Sequence, residues 1–222
     1  HPDSEGNEVI DTALIDRIVD GWHYNPHEVL GPHFEGTSVT VRVLRPNALS
    51  VAVRCAGSTY AATHQHRGVW SVDIPSNHVT ACTLEVDYGN GAISADDPYR
   101  FLPTIGETDL YLFAEGRHER LWEALGAHVR ILDGVAGVSF AVWAPSAQGV
   151  RVVGDFNHWD GTSHPMRSMG GSGVWELFVP LIGAGDHYRF SILGRDGTWR
   201  TKSDPMAFHT EAPPSKIGRA HV

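Results

Sequence analysis

Gly154-Asp-Phe-Asn-His-Trp-Asp-Gly161 gathers the residue types in this chain best suited to recognition chemistry. Asn157, Asp160 and Gly161 suit a turn at a strand end, where positive φ is tolerated. An indole mounted on such a turn, Trp159, is presented to solvent. Its flat face suits the apolar C–H face of a glucose ring, and the hydroxyls at the ring edge need polar partners. Trp199 follows Gly197 at a second turn-to-strand junction. Side by side, Trp159 and Trp199 would form a platform for consecutive glucoses of an α-glucan, with Asn157, Arg189 and Lys202 as candidate donors to hydroxyls. Packing is the competing role for both indoles. Of the seven tryptophans, Trp70, Trp175 and Trp143 fall at strand positions that predict core anchors. Trp122, beside Leu121, predicts packing between domains.

Other chemistries find little support. Among 14 histidines, His23, His27 and His33 lie close together and His64-Gln-His66 is a His-x-His. Neither group has a partner motif such as His-Glu-x-x-His, and no Cys pair has ligand spacing. Neighbouring prolines and glycines assign these histidines to capping, so no metal and no cofactor are expected. Glycoside cleavage needs two carboxylates across a sugar bond. Asp155 and Asp160 flank the aromatic loop, but turn roles account for both. There is no Gly-x-Ser-x-Gly elbow and no phosphate-binding loop, and no catalytic residue is assigned. Cys55 continues the alternation of Val51 and Val53, and Cys82 precedes Leu84 and Val86 at the same period. That pattern predicts two buried free thiols rather than a bridge.

The elements that must position the aromatic loop come as a tandem repeat. Glu28-Val-Leu-Gly-Pro-His33, Arg67-Gly-Val-Trp70 and Asp96-Asp-Pro-Tyr-Arg-Phe101 return, in order, as Glu123-Ala-Leu-Gly-Ala-His128, Ser172-Gly-Val-Trp175 and Ser203-Asp-Pro-Met-Ala-Phe208. The offset of about one hundred residues indicates duplicated domains, not a short-period solenoid. Only the second copy carries the aromatic loop. Val39, Val41 and Val43 alternate, as do Val138, Phe140 and Val142, and Tyr188, Phe190 and Ile192. Short alternating runs divided by Gly, Pro and Asn predict antiparallel strands. The fold class is therefore all-β: two tandem immunoglobulin-like β-sandwiches with short helices at the N-terminus and between the domains. Residues 9–20 predict the first helix, with Ile10, Ala13, Leu14, Arg17 and Ile18 on one face and Gly21 as a stop. Residues 118–125 predict the second. Leu110-Tyr-Leu-Phe113 is too apolar for a slack linker. The expected division is 1–106 for the first sandwich with its leading helix, 107–214 for the second, and 215–222 for a tail unlike the rest.

With 26 acidic against 17 basic residues and a net charge of −9, nucleic acid and anionic membrane are poor partners. No apolar run is long enough to span a bilayer. The opening His-Pro-Asp-Ser-Glu-Gly shows no charged-then-apolar secretory pattern, and a cytoplasmic location is expected.

His23-Tyr-Asn-Pro-His-Glu-Val-Leu-Gly-Pro-His33 resembles the signature near the start of bacterial glycogen branching enzymes that carry an extra N-terminal domain. Asp97-Pro-Tyr-Arg-Phe101, Asp109-Leu-Tyr-Leu-Phe113, Glu115 to His128, Phe140-Ala-Val-Trp-Ala-Pro145, Gly154 to Gly161, Gly173 to Pro180 and Lys202-Ser-Asp-Pro205 are similar to the same family. The resemblance covers nearly all of residues 9–214. It implies a glucan-binding second sandwich, with α-1,4-glucan (glycogen, maltooligosaccharides) as partner. It also implies a catalytic (β/α) barrel that cuts α-1,4 bonds and makes α-1,6 branches by a retaining route without a cofactor. The barrel's catalytic residues have no counterparts here, so the chain is expected to be inactive alone and to partner the missing barrel. Met206 stands where the family commonly has Tyr. Lys216 to Val222 departs from the family and is expected to be a translated sequencing adapter. Two rival functions remain: a free-standing glucan-binding or scaffold protein, and a fragment of a debranching-type hydrolase, against which the His23–His33 signature argues.

Overall fold

The computed structural model describes residues 10–78 and 82–206, together with the backbone of Gly218 and Arg219. The rest of the 215–222 tail, with Ala207 and Phe208 of the last landmark, lies outside the described residues.

Helix α1 (Thr12–Val19) starts at Asp11, whose carboxylate accepts the Ala13 N–H at 3.0 Å. It ends where Gly21 takes a φ of +82°. Its buried residues are Ile15, Ile18 and Val19, so the buried face is rotated from the expected one and Ala13 and Arg17 face solvent. The first sandwich follows: β1 (Gly31–Glu35), β2 (Ser38–Leu44), β3 (Ser50–Cys55), β4 (Ser58–Ala61), β5 (Thr63–His66), β6 (Val69–Pro75), β7 (Thr83–Asp87) and β8 (Ala92–Ala95). They form the antiparallel sheets β1-β2-β6-β5 and β4-β3-β7-β8. Val39, Val41, Val43, Val51, Val53, Leu84 and Val86 face one another as a core.

Helices α2 (Glu107–Ala114) and α3 (Leu121–Ala124) connect the copies. Phe113 is buried with Ala124, Leu125, Ala141 and Val174, so this connection packs as expected. Trp122, expected to pack between domains, is 41% exposed, because α3 turns Ala124 inward.

The second sandwich comprises β9 (Gly126–Leu132), β10 (Val135–Trp143), β11 (Gly149–Gly154), β12 (Arg167–Ser168), β13 (Val174–Pro180), β14 (His187–Leu193) and β15 (Trp199–Lys202), with β16 (Gly218–Arg219) pairing to β14. Its sheets, β9-β10-β13-β12 and β11-β14-β15, repeat the first pair and follow the constant-type immunoglobulin plan. The chain is thus all-β, two tandem sandwiches. The repeat extends to single bonds. His33 Nε2–H donates to the Leu30 carbonyl at 3.2 Å, and His128 does the same to Leu125 at 2.8 Å. The Trp70 indole donates to the Arg45 carbonyl at 3.4 Å, and Trp175 to Ala144 at 3.1 Å. Asp97 accepts from Tyr99 N–H, and Asp204 from Met206 N–H. Copy one has an edge strand, β4, beside β3. Copy two has in its place the 3-10 turns 155–157 and 161–163, which run along β11.

Two further expectations fail. Cys55 and Cys82 are bridged, with Cα atoms 4.4 Å apart. Arg54 pairs with Thr83 across β3 and β7, so the next rung brings the two thiols opposite each other. Alternation shows that both point inward, not that their strands are neighbours. Trp143 is 53% exposed. It follows inward Val142, so strand parity turns it outward, and its indole donates to the Ser172 carbonyl at 3.2 Å.

The described residues include no helix long and apolar enough to cross a membrane.

Candidate functional site

The aromatic loop is built by side chains that fold back on its own backbone. Asn157 Oδ1 accepts the Gly154 N–H at 2.9 Å, and its Nδ2 donates to the Val152 carbonyl at 3.0 Å. The same Nδ2 lies 3.1 Å from His164 Nδ1. The amide is thereby engaged within the loop, as its internal brace. Asp155 accepts the His187 N–H at 2.9 Å and ties the loop to β14. Asp160 accepts from the Thr162 N–H at 3.0 Å and the Thr162 hydroxyl at 2.6 Å, and these bonds hold its carboxyl below the usual range. Between these braces His158 and Trp159 take φ of 54° and 62°. Left-handed backbone at a bulky side chain costs about 1–3 kcal/mol and persists where the surroundings enforce it, often at working sites. The result is an indole that is 40% exposed at the sheet edge.

Register decides what Trp159 shares a face with. Residues directly opposite in an antiparallel ladder point the same way. Val153 pairs with Arg189, Arg151 with Ser191, and Ser191 with Thr201. Phe190 and Ile192 point into the core, so this other set faces out. Val153, Trp159, Arg189 and Thr201 line one shallow depression of about 290 Å³. Arg189 presents a buried Nε with no hydrogen-bond partner among the described residues. Trp199 pairs with Leu193, which pairs with Gly149. It therefore shares the outward face but lies further along the strands, and it is not among the residues lining that depression. Lys202 pairs with inward Phe190 and is not brought to this face. It lines a larger cavity of about 630 Å³ with Trp143, Ile192, Arg195 and Arg200. Of the five expected residues, the structure joins Trp159 and Arg189, places Asn157 beneath them, and separates Trp199 and Lys202.

Arg151 is the residue that sequence reasoning misses. The guanidinium carbon stands 4.3 Å over the Trp199 ring, within cation–π range. Nη2 donates to the Val19 carbonyl at 2.7 Å. Its aliphatic stem lies under Gly161, where an added Cβ would meet Arg151 Cβ at 2.8 Å and Val153 Cγ1 at 2.9 Å. One side chain therefore joins the aromatic loop, Trp199 and the end of α1. Burial pulls its pKa down, and Asp160 and Asp20 push it back. The only sequence signal is a charged residue amid Val150, Val152 and Val153 on a strand leading into the loop.

The buried carboxylates serve structure. Asp96 pairs with Arg100, Glu176 with Arg167, and Asp204 with the Tyr188 hydroxyl. The histidines do likewise: His64 accepts the Gly68 N–H at 3.0 Å, and His27 packs its ring 4.9 Å from that of Tyr99.

Residues 11–99 match the family model of the alpha-1,4-glucan branching enzyme GlgB N-terminal domain. Residues 124–207 match carbohydrate-binding module 48, the isoamylase N-terminal domain. The chain is 54% identical over 209 residues to a 1,4-alpha-glucan branching enzyme GlgB of Frankia casuarinae, covering 90% of this chain and 26% of that protein. It is 53% identical over 208 residues to its namesake in Thermobifida fusca, covering 91% of this chain and 28% of that one. The chain thus spans little more than a quarter of the length of these relatives. A crystallised pullulanase from Anoxybacillus sp. LM18-11 is 17% identical over 80% of this chain and 25% of its own, with a TM-score of 0.32, too loose a likeness to carry an argument. The match over residues 11–99 distinguishes the chain from the debranching alternative. Over both of its sandwiches the chain belongs to the 1,4-alpha-glucan branching enzyme family, of which it represents the N-terminal region.

Proposed function

We propose that the second sandwich holds α-1,4-glucan on its outward face, at Trp159 and Arg189. It does so in the service of a branching reaction that transfers cut α-1,4 chains to 6-hydroxyls on a catalytic barrel outside these residues. The observation that carries the reading is the strained, braced turn that exposes Trp159 over a depression lined by an under-bonded arginine. An indole face and a guanidinium donor are the two kinds of contact a glucose ring needs. Supporting it, the copy without this loop lies outside the carbohydrate-binding-module match. Trp199, clasped by Arg151, serves as a support at the near end of this face, and Lys202 is set aside from the same sugar.

Calorimetric titration of the purified chain with maltoheptaose tests this. Saturable binding is expected, weakened at least about tenfold, or about 1.4 kcal/mol, by Trp159→Ala. No binding by the parent chain, or equal binding by the variant, would remove Trp159 from the role. Labelled-glucan turnover by the same preparation is expected to be nil.

A further inference from the structure

The segment Gly21-Trp-His-Tyr24 leads into the His23–His33 signature, which the Trp159 depression leaves unused. It leaves α1 and crosses onto the second sandwich, where its backbone is fixed at both ends. The Val19 carbonyl accepts from Arg151 Nη2 at 2.7 Å, and the Tyr24 carbonyl accepts the Ser168 N–H at 2.7 Å. Between these points the side chains alternate. His23 is buried and lies 3.4 Å from Arg17 Nη2 and 3.3 Å from Glu28 Oε2. Trp22 and Tyr24 stand outward, 53% and 59% exposed. Large aromatics on an anchored strip of backbone lose little entropy on meeting a ligand, and clustered exposure of this kind marks contact surfaces.

Arg151 makes this strip continuous with the aromatic loop. Its stem lies against Gly161 and its guanidinium against Val19, with Trp199 stacked on it. Backbones meet at the same point: a Cβ on Gly149 would fall 1.8 Å from the Gly21 carbonyl oxygen. The loop that carries Trp159 and the segment that carries Trp22 therefore meet at a single arginine side chain.

We propose that Trp22 and Tyr24 of the first domain extend the glucan-holding face of the second, so that one α-glucan chain runs from the Trp159 depression across Arg151 onto the Gly21–Tyr24 strip. This rests on the reading of Trp159 as a glucan contact. Sugar is the occupant that fits, because the strip is continuous with a face of a carbohydrate-binding module. Carboxylates stand at both ends of the path: Glu28 Oε2 lies 3.3 Å from His23 Nε2 in the strip, and Asp160 follows Trp159. The depression of about 290 Å³ takes a short oligosaccharide, and only a longer one reaches Trp22.

The test is calorimetry on the 222-residue chain with maltotriose and with maltoheptaose, comparing the parent, Trp159→Ala, and a Trp22→Ala/Tyr24→Ala double variant. Expected is a double variant that binds maltotriose as the parent does and maltoheptaose about fivefold or more weakly, while Trp159→Ala loses both. If the double variant keeps full maltoheptaose affinity and Trp159→Ala does not, this proposal falls and the Trp159 site stands. Absence of binding by the parent overturns both. Equal weakening toward the two sugars overturns the proposal in favour of a supporting role. A parent dimer in sedimentation that the double variant dissolves, with maltoheptaose affinity unchanged, reassigns the strip to contact between copies.

Discussion

Asn157, expected to donate to sugar hydroxyls, turns its amide onto the backbone of its own loop. Both ends of its amide are engaged beneath the loop, so the geometry of Trp159 depends on them. Net hydrogen-bond contributions of about 1 kcal/mol each are comparable to the strain of the left-handed turn. Asn157→Ala is therefore expected to weaken maltoheptaose binding about as much as Trp159→Ala while shifting the thermal midpoint by only a few degrees. Calorimetry and a melting curve on one preparation check it, and unchanged affinity would contradict it. Trp159 is legible in the sequence because Asn, Asp and Gly around an aromatic announce an exposed turn. The side of the sheet that Lys202 takes is not legible, because it depends on register across β14 and β15, which no local pattern encodes. Trp143 is misplaced by residue type, which argues for the core, whereas alternation after inward Val142 turns it outward.

At the scale of elements, duplication is the part of the fold that sequence shows best, since its landmarks are the residues that make the same bonds in both copies. What it does not show is which strands become neighbours. The Cys55–Cys82 bridge is the clearest case, because alternation gives the inward faces and only the β3–β7 pairing gives the partner. A chain prepared without reductant is expected to show no titratable thiol in denaturant, and two after reduction. The bridge closes a sequence separation of 27 residues, for which chain entropy gives about 3–4 kcal/mol. A Cys55→Ser/Cys82→Ser variant should unfold at correspondingly lower denaturant, and two reactive thiols in the unreduced protein would contradict the bridge. The replacement of edge strand β4 by the aromatic loop is likewise invisible locally, yet it leaves the rest of the second sandwich on the plan of the first.

For the molecule as a whole, acid is the expected weak point. Burial pulls His27 and His164 down to about 3 from an ordinary 6.5, assisted by the charge of Arg167 and of Arg45 respectively. Unfolded, both take up a proton near pH 6.5; folded, they resist until about 3. Their contribution is complete above pH 6.5 and is lost progressively as pH falls toward 3. Asp97, raised to about 6 from 3.8 by burial, acts in the opposite sense between those two values and offsets part of the loss. The thermal midpoint is expected to fall between pH 7 and pH 4, and less steeply in a His27→Gln/His164→Asn variant; a flat profile would contradict this. The described structure also has a core that crosses the junction. Ile15, Ile18 and Val19 of α1, with Leu30 and Tyr99, share one cluster with Val138, Phe140, Val150 and Trp175. Helix α1 is encoded ahead of the first sandwich and seated in the second. No single cut in the polypeptide therefore yields two self-sufficient pieces. Any exchange of the second sandwich between proteins, by recombination or by design, must carry the helix with it, and with the helix everything encoded in between.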